Sequence, residues 1–274
     1  MNQLKTKKIV SALFVLSLSA CTSIPKDGGL SNVNSLVEAK LSAGVQLPSL
    51  SHNNQLTADA MLSLLAQPLS IADAEKLAVE FNPMMKVKLF KVGLAEADYA
   101  QAGRMENPGF SYARVSGQAY EASLLFDMGG VILMPLKRQL EKRRLQSARY
   151  QAASDVLEHI ANTRRGWINA VAAKQQTAVM LKALESAEAG NNLTRQMSAL
   201  GHSSVIEAAD SEIFLSGMRT SLTRQRLAES AAREGLIRQL GLWGQQARSL
   251  KLPDRLPELP PNSIDIESVE GQAI

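Results

Sequence analysis

The chain has 274 residues, 45% of them apolar but only 4% aromatic, with a formal charge of +4 and an isoelectric point near 9.2. Such a charge points to nucleic acid or an anionic surface, but Lys5, Lys7 and Lys8 stand just before the apolar stretch Ile9 to Leu18, the pattern of a secretory signal over residues 1–20. Removing those three lysines takes +4 to +1 before the new amino terminus is counted, so the reading as a basic protein falls away.

Leu18-Ser19-Ala20-Cys21 places small residues ahead of the only cysteine, as in a bacterial lipobox. One cysteine cannot form an intramolecular disulfide, so the thiol of Cys21 is assigned to lipid attachment, with an ordinary cleavable signal as the alternative. The apolar run is too short for the ~20 residues of a membrane-spanning helix. Thr22 follows, and lipoproteins lacking Asp at that place resemble those released to the outer membrane, which predicts a lipid-anchored chain with its body in the periplasm.

Residues 21–66 carry Pro, Gly, Ser and Asn around two short amphipathic pieces, Val33 to Leu41 and Ala58 to Leu65, and read as a linker lying across the body. Ser70 with Asp73 gives a capping-box-like start to a helical stretch over 70–103, interrupted at Asn82-Pro83, where Pro83 takes the first helical position. Residues 107–134 carry the β signal. Tyr120, Ala122, Leu124, Phe126 and Met128 alternate with Glu121, Ser123 and Asp127, Gly117 turns the pair, and Gly129-Gly130 is read as a bulge before Val131 to Met134. A strand of ~9 to 11 residues with one apolar face can cross a bilayer when tilted; packing of the pair on a soluble core is the other reading.

None of the ten prolines falls between Pro135 and Pro253. With its Ala, Leu, Gln, Glu, Lys and Arg content, that interval predicts long helices over 136–200 and 203–241. The first would reach ~98 Å if straight. Gly201-His202-Ser203-Ser204 is a short break, so the two helices are expected to form an antiparallel, coiled-coil-like hairpin. The fold class is therefore mainly α, with a strand pair.

Chemistry-bearing patterns are missing. His52, His159 and His202 lie far apart, no metal, nucleotide or nucleophile motif occurs, and no catalytic residue, metal or cofactor is expected. His159 reads as a surface or seam residue, Glu141-Lys142-Arg143-Arg144 as a solvated face, and Trp167 and Trp243 as packing residues.

Ser70 to Val79 with Asn82-Pro83, Glu106-Asn107-Pro108 before the first strand, and Leu200 to Ala209 at the turn together resemble the TolC-like outer-membrane factors of bacterial efflux systems, with Glu106-Asn107-Pro108 nearest the heavy-metal branch. The resemblance implies a strand pair contributing to an outer-membrane β-barrel, a periplasmic helical tube, and passive export of compounds that include metal ions. It implies a homo-oligomer, trimeric for a full-length chain, whose partners are a membrane-fusion adaptor, an inner-membrane pump and the outer membrane, with no nucleic acid. Leu200, Gly201, Ser203, Ser204, Ile206 and Glu207 fall where the family docks its adaptor, although Gly201 also suits a plain helix cap.

Family members carry two such repeats. Here residues 67–252 make one, residues 253–274 hold the proline-rich linker, and Ile266 to Ile274 align with Ile71 to Val79 as though a second repeat began. The expectation is a chain truncated after its first repeat. Two strands per chain give six in a trimer, below the smallest closed barrels at ~8. A competing reading is a periplasmic coiled-coil lipoprotein acting as a spacer or adaptor.

Overall fold

The computed structural model describes residues 25–42, 44–48, 54–117 and 119–258. The expected signal peptide, Cys21 and the stretch Ile266 to Ile274, read as the start of a second repeat, lie outside the described residues. The protein is mainly helical, with long helices and one two-stranded antiparallel sheet. In chain order come α1 (Leu30–Val37), α2 (Asn54–Leu65), α3 (Ile71–Lys76), a π-helical turn (Leu77–Phe81), α4 (Pro83–Ala102), β1 (Gly109–Ser116), β2 (Ala119–Leu125), α5 (Met128–Ala199), α6 (Val205–Leu240) and α7 (Gly244–Ser249). Two compact units share these elements, Met1–Asn54 with Val79–His159, and Gln55–Ala78 with Ile160–Ile274.

In the first unit, the Asp27 carboxylate accepts the Gly29 and Ser31 amides at 3.1 and 2.8 Å, which starts α1. Those bonds hold its pKa below the usual carboxylate value. Leu30, Val33 and Val37 recur at helical spacing and are buried, as are Met85, Leu89 and Val92 of α4, on which α1 packs. Gly29 has φ +80° and lies against the Glu96 carboxylate, where no side chain would fit.

Helix α4 begins where the sequence requires. Asn82 Oδ1 accepts the Met84 amide at 2.9 Å and Pro83 needs no amide partner at the first position. Along α4 and α5 the polar partners run in opposite directions. Glu96 pairs with Arg149, Lys88 with Asp155 at 3.7 Å, and Asn82 Nδ2 lies 3.3 Å from His159 Nε2. The two helices are therefore antiparallel, with Leu145, Ala152 and Val156 buried along the same stretch of α5. His159 is half-buried in that seam, as its helical position predicts.

The second unit is built around Trp167, whose Nε1 donates to the Leu69 carbonyl at 2.9 Å. Ser70 caps α3 by accepting the Asp73 amide at 3.1 Å. Glu75 is 1% exposed and takes two bonds from Arg164, Nε to Oε1 at 2.5 Å and Nη2 to Oε2 at 3.2 Å, which raise the guanidinium pKa further. Residues 160–199 of α5 and helix α6 form an antiparallel hairpin. Asn191 bonds Glu212 at 3.0 Å, Glu188 meets Arg219 at 3.2 Å, and Gln176 meets Gln225 at 3.2 Å, so partners descend α5 as they climb α6. Leu215, Leu222, Leu236, Ile237 and Leu240 are the buried positions of α6. The segment after α7 is tied down at several points. Leu69 N donates to Lys251 O at 2.9 Å, Lys251 Nζ to Ala66 O at 3.0 Å, and Lys174 Nζ to Leu252 O at 2.7 Å. Lys174 also pairs with Asp254 at 2.8 Å, which lowers the Asp254 pKa.

Three expectations need correction. The β region stops at Leu125 rather than reaching residue 134, so Val131 to Met134 are helical. Asp127 accepts the Val131 amide through its carbonyl and the Gly130 amide through its side chain at 2.9 Å, so α5 begins before Pro135 and contains it. The bulge lies between Arg114 and Ser116, beside the Gly117 turn at φ +56°, and Gly129-Gly130 sit in α5. Finally, Trp243 is 73% exposed and does not pack.

Candidate functional site

The turn from α5 to α6 brings the sequence-predicted tip residues together. Gly201 has φ +76°, and the Gly201 and His202 amides donate to the Ser198 and Met197 carbonyls at 3.1 and 2.8 Å. This pairing is a Schellman cap, which needs a residue in the left-handed region after the last helical turn. Ser204 then starts α6 with a complete capping box: its Oγ accepts the Glu207 amide at 3.1 Å, and its own amide donates to Glu207 Oε2 at 2.9 Å. Ser203 Oγ adds a 2.7 Å bond to the same oxygen.

Two consequences follow for the predicted residues. Glu207 is engaged within the turn, while Leu200 and Ile206 are each 74% exposed and make the apolar surface of the tip. Val205, which the sequence reading passed over, is exposed beside them. Its signal was an apolar residue immediately after an N-cap serine, in the first turn of α6 beside the equally exposed Ile206.

The Ser203 hydroxyl and the Ser204 amide hold the Glu207 carboxyl below its usual pKa. A carboxyl depressed in the folded state supports the cap fully above its unfolded pKa and loses that support as pH falls through the lowered folded value. In a pH titration, the Ser204 amide resonance should therefore shift with a midpoint below the ordinary glutamate range. A midpoint at or above that range would contradict the capping role.

The strand pair is the second candidate. Gly109 opposes Leu125, and the register continues through Phe110 with Leu124, Ser111 with Ser123, Tyr112 with Ala122 and Arg114 with Tyr120. Opposed residues share a face. Phe110, Tyr112, Leu124 and Tyr120 thus occupy one face, while Ser111, Ser123 and Glu121 occupy the other. Tyr112 and Tyr120 stack with ring centroids 5.5 Å apart, Arg114 lies 5.7 Å over Tyr120, and the Ser111 and Ser123 hydroxyls meet at 2.6 Å. Nothing in the described chain covers the apolar face, and Leu125 on the other face is 69% exposed. The predicted alternation holds from Tyr120 to Leu124 and breaks at Leu125 as expected, whereas Phe126 and Asp127 follow the strand and Met128 belongs to α5.

Among the described residues no group of three His, Cys, Asp or Glu side chains could hold a metal ion, and no helix is long and apolar enough to cross a membrane. His202 is exposed at the tip, and His52 is outside the described residues.

No family model and no curated protein matches this chain. Among solved structures it is similar to a membrane protein from Pseudomonas aeruginosa, with a TM-score of 0.57 and 15% identity over 68% of the chain. The likeness shows the fold alone. This chain spans about half of that protein's chain, 47%.

Proposed function

We propose that the chain is the first repeat of a TolC-like outer-membrane factor, anchored by lipid at Cys21. In this reading its strand pair enters the outer membrane and its helices stand in the periplasm as part of a passive exit duct. The observation that carries the reading is the strand pair itself: two antiparallel strands with uncovered aromatic and leucine side chains, joined directly to the long helix α5. Such a face suits lipid, and backbone groups in hydrocarbon must be paired, so the sheet needs further strands to close. These would come from a second repeat or from further copies. The resemblance supplies the rest: a trimer for a full-length chain, a membrane-fusion adaptor at the helical tip, an inner-membrane pump, and exported compounds that include metal ions.

Geometry within the first unit supports a shared membrane end. Cys21 is four positions from Pro25, at most ~14 Å of chain. Gly29 lies against Glu96 on α4, and Glu96 is six residues, ~9 Å, from the end of α4 that leads to β1. A lipid on Cys21 and a membrane-inserted hairpin would therefore be compatible attachments.

A cysteine at Gly117, with Cys21 lipidated, tests the reading on intact cells. Reaction with an impermeant thiol reagent is expected, and protection from it would remove the membrane-crossing hairpin. At the other end, Gly201→Trp should abolish most cross-linking of the tip to a co-expressed adaptor while leaving membrane fractionation unchanged. The substitution forces a side chain into the left-handed region at a cost of ~1–2 kcal/mol, and it places a large ring beside the exposed Leu200. Full cross-linking in the variant would remove the tip from the docking site.

A second reading has one observation in its favour. The strands have 8 and 7 residues, short of the ~9 to 11 that cross a bilayer. A periplasmic lipoprotein whose helical hairpin is a spacer or adaptor fits that length. It predicts that the cysteine at Gly117 reacts only after the outer membrane is permeabilised.

A further inference from the structure

The first three turns of α5 are apolar and uncovered. Met128, Ile132, Leu133, Leu136 and Leu140 are all exposed, Ile132 at 77%. At 100° per residue the five fall within about 140° of one another, one apolar stripe of the kind a surface helix ordinarily hides. Lys137, Arg138, Lys142 and Arg143, in the turns around Leu140, are also exposed, and none of these four has an ion-pair partner among the described residues. Apolar turns running into a collar of unpaired cations match the two layers of a membrane surface, acyl chain and then phosphate.

Two cavities border this collar, and their linings differ in charge. The larger, about 540 Å³, sets Arg104, Lys137 and Arg144 against Asp98, Glu106, Asp127 and Glu141, so its three cations already face four carboxylates and offer nothing to an anion. The smaller, about 390 Å³, lies where the end of α4 meets α5 and has no carboxylate in its lining. Arg138 and Lys142 supply two cations, Gln139 a neutral polar group, and Met134, Pro135 and Tyr99 an apolar wall. The Arg138 guanidinium lies 5.5 Å over the Tyr99 ring, which places it at the cavity without neutralising it.

We propose that this cavity is a binding site for the phosphate of an anionic phospholipid headgroup, with Arg138 and Lys142 as its ligands and Met134 and Pro135 against the start of the acyl chains. The apolar turns beside the cavity decide the source of the phosphate, because a free anion would have no use for them. The inference deepens the membrane placement proposed above by naming the headgroup, and it does not depend on the chain conducting. A headgroup held there would fix the depth of α5 in the bilayer.

The test uses the chain from residue 21 with Cys21→Ser, so that no covalent lipid drives binding. It is floated with vesicles of phosphatidylcholine alone and with vesicles containing phosphatidylglycerol. The anionic vesicles should bind at least about tenfold more tightly, and high salt should weaken that preference. Arg138→Gln with Lys142→Gln should lose about tenfold or more of the preference, whereas Arg138→Lys with Lys142→Arg should keep it. Arg224→Gln with Arg226→Gln, an equal loss of charge on α6, should leave it unchanged. Equal binding to both vesicles, an equal loss in the α6 variant, or release of the protein from anionic vesicles by millimolar inorganic phosphate would each overturn the proposal. If the double glutamine variant failed to fold, loss of the preference in the charge-conserving pair would overturn the proposal as well. Retained anionic preference in a chain whose Gly117 position is protected on intact cells would keep this site while removing the exit duct.

Discussion

Methionine in place of Arg164 should destabilise the unit that holds Glu75 by about 3–5 kcal/mol. The expectation rests on burial at one end of the pair. Glu75 is 1% exposed and both its oxygens are taken by Arg164, whose own side chain is 42% exposed. Removing the guanidinium leaves a carboxylate with no water and no cation, and it is that orphaned group, rather than the worth of the bond, that sets the cost. A second variant separates the two. Glu75→Leu combined with Arg164→Met removes both charges from a stretch whose chain neighbours Ala74, Leu77 and Ala78 are all buried, and it should recover most of the loss. Denaturant unfolding of the wild type, both single variants and the double variant gives the coupling directly. If the two single losses simply add, the ion pair is not what holds this part of the unit.

The second large effect is at Trp167, one turn further along α5. The side chain is 3% exposed and its indole donates to Leu69. Trp167→Ala should cost about 3–5 kcal/mol through the cavity it leaves. Trp167→Phe keeps most of the volume but leaves the Leu69 carbonyl without its donor, for about 1–3 kcal/mol. Equal losses in the two variants would mean that the hydrogen bond, and not the packing, carries the site. Because Arg164 and Trp167 are neighbours on one helix face, a combined Arg164→Met and Trp167→Ala chain should lose less than both effects together. Only Trp243, which is exposed, would then remain to report fluorescence, so the unfolding signal should be read from helicity.

The ends of elements were the most legible part of the sequence. Asn82-Pro83, Ser70 with Asp73, and the Gly201 to Glu207 turn all carry side chains that satisfy local backbone groups, and each works where the residues place it. The extent of the strands was not legible, because Val131 to Met134 suit either a strand or a helix, and Pro135 disfavours a helix across it. The Asp127 cap, acting three and four residues ahead, settles that ambiguity, at a cost of about 3 kcal/mol for an interior proline.

The buried ion pairs were missed although a trace of them was present. Met85, Leu89 and Val92 continue with Glu96 at the next stripe position, and Ile71, Ala74 and Ala78 bracket Glu75 in the same way. An acid where an apolar residue is due marks a buried charge, but its partner lies 53 or 89 residues away and no local spacing reveals it. Nor could the acid-free cavity at Arg138 and Lys142 be anticipated, since its charge depends on which α4 side chains face those two cations.

The bond from Lys251 to the Ala66 carbonyl spans 185 positions, whereas the bonds between α5 and α6 span 21 to 52. Closing a long loop costs entropy before any contact repays it, and short loops close first. The second unit should thus assemble in a fixed order, with the helical hairpin zipping from its self-capped turn and the carboxy-terminal strap arriving last. Until the strap docks, Leu69, Leu250 and Leu252 stay in water, so this closing step is the moment at which the newly made chain is most exposed to proteolysis and to association with other copies.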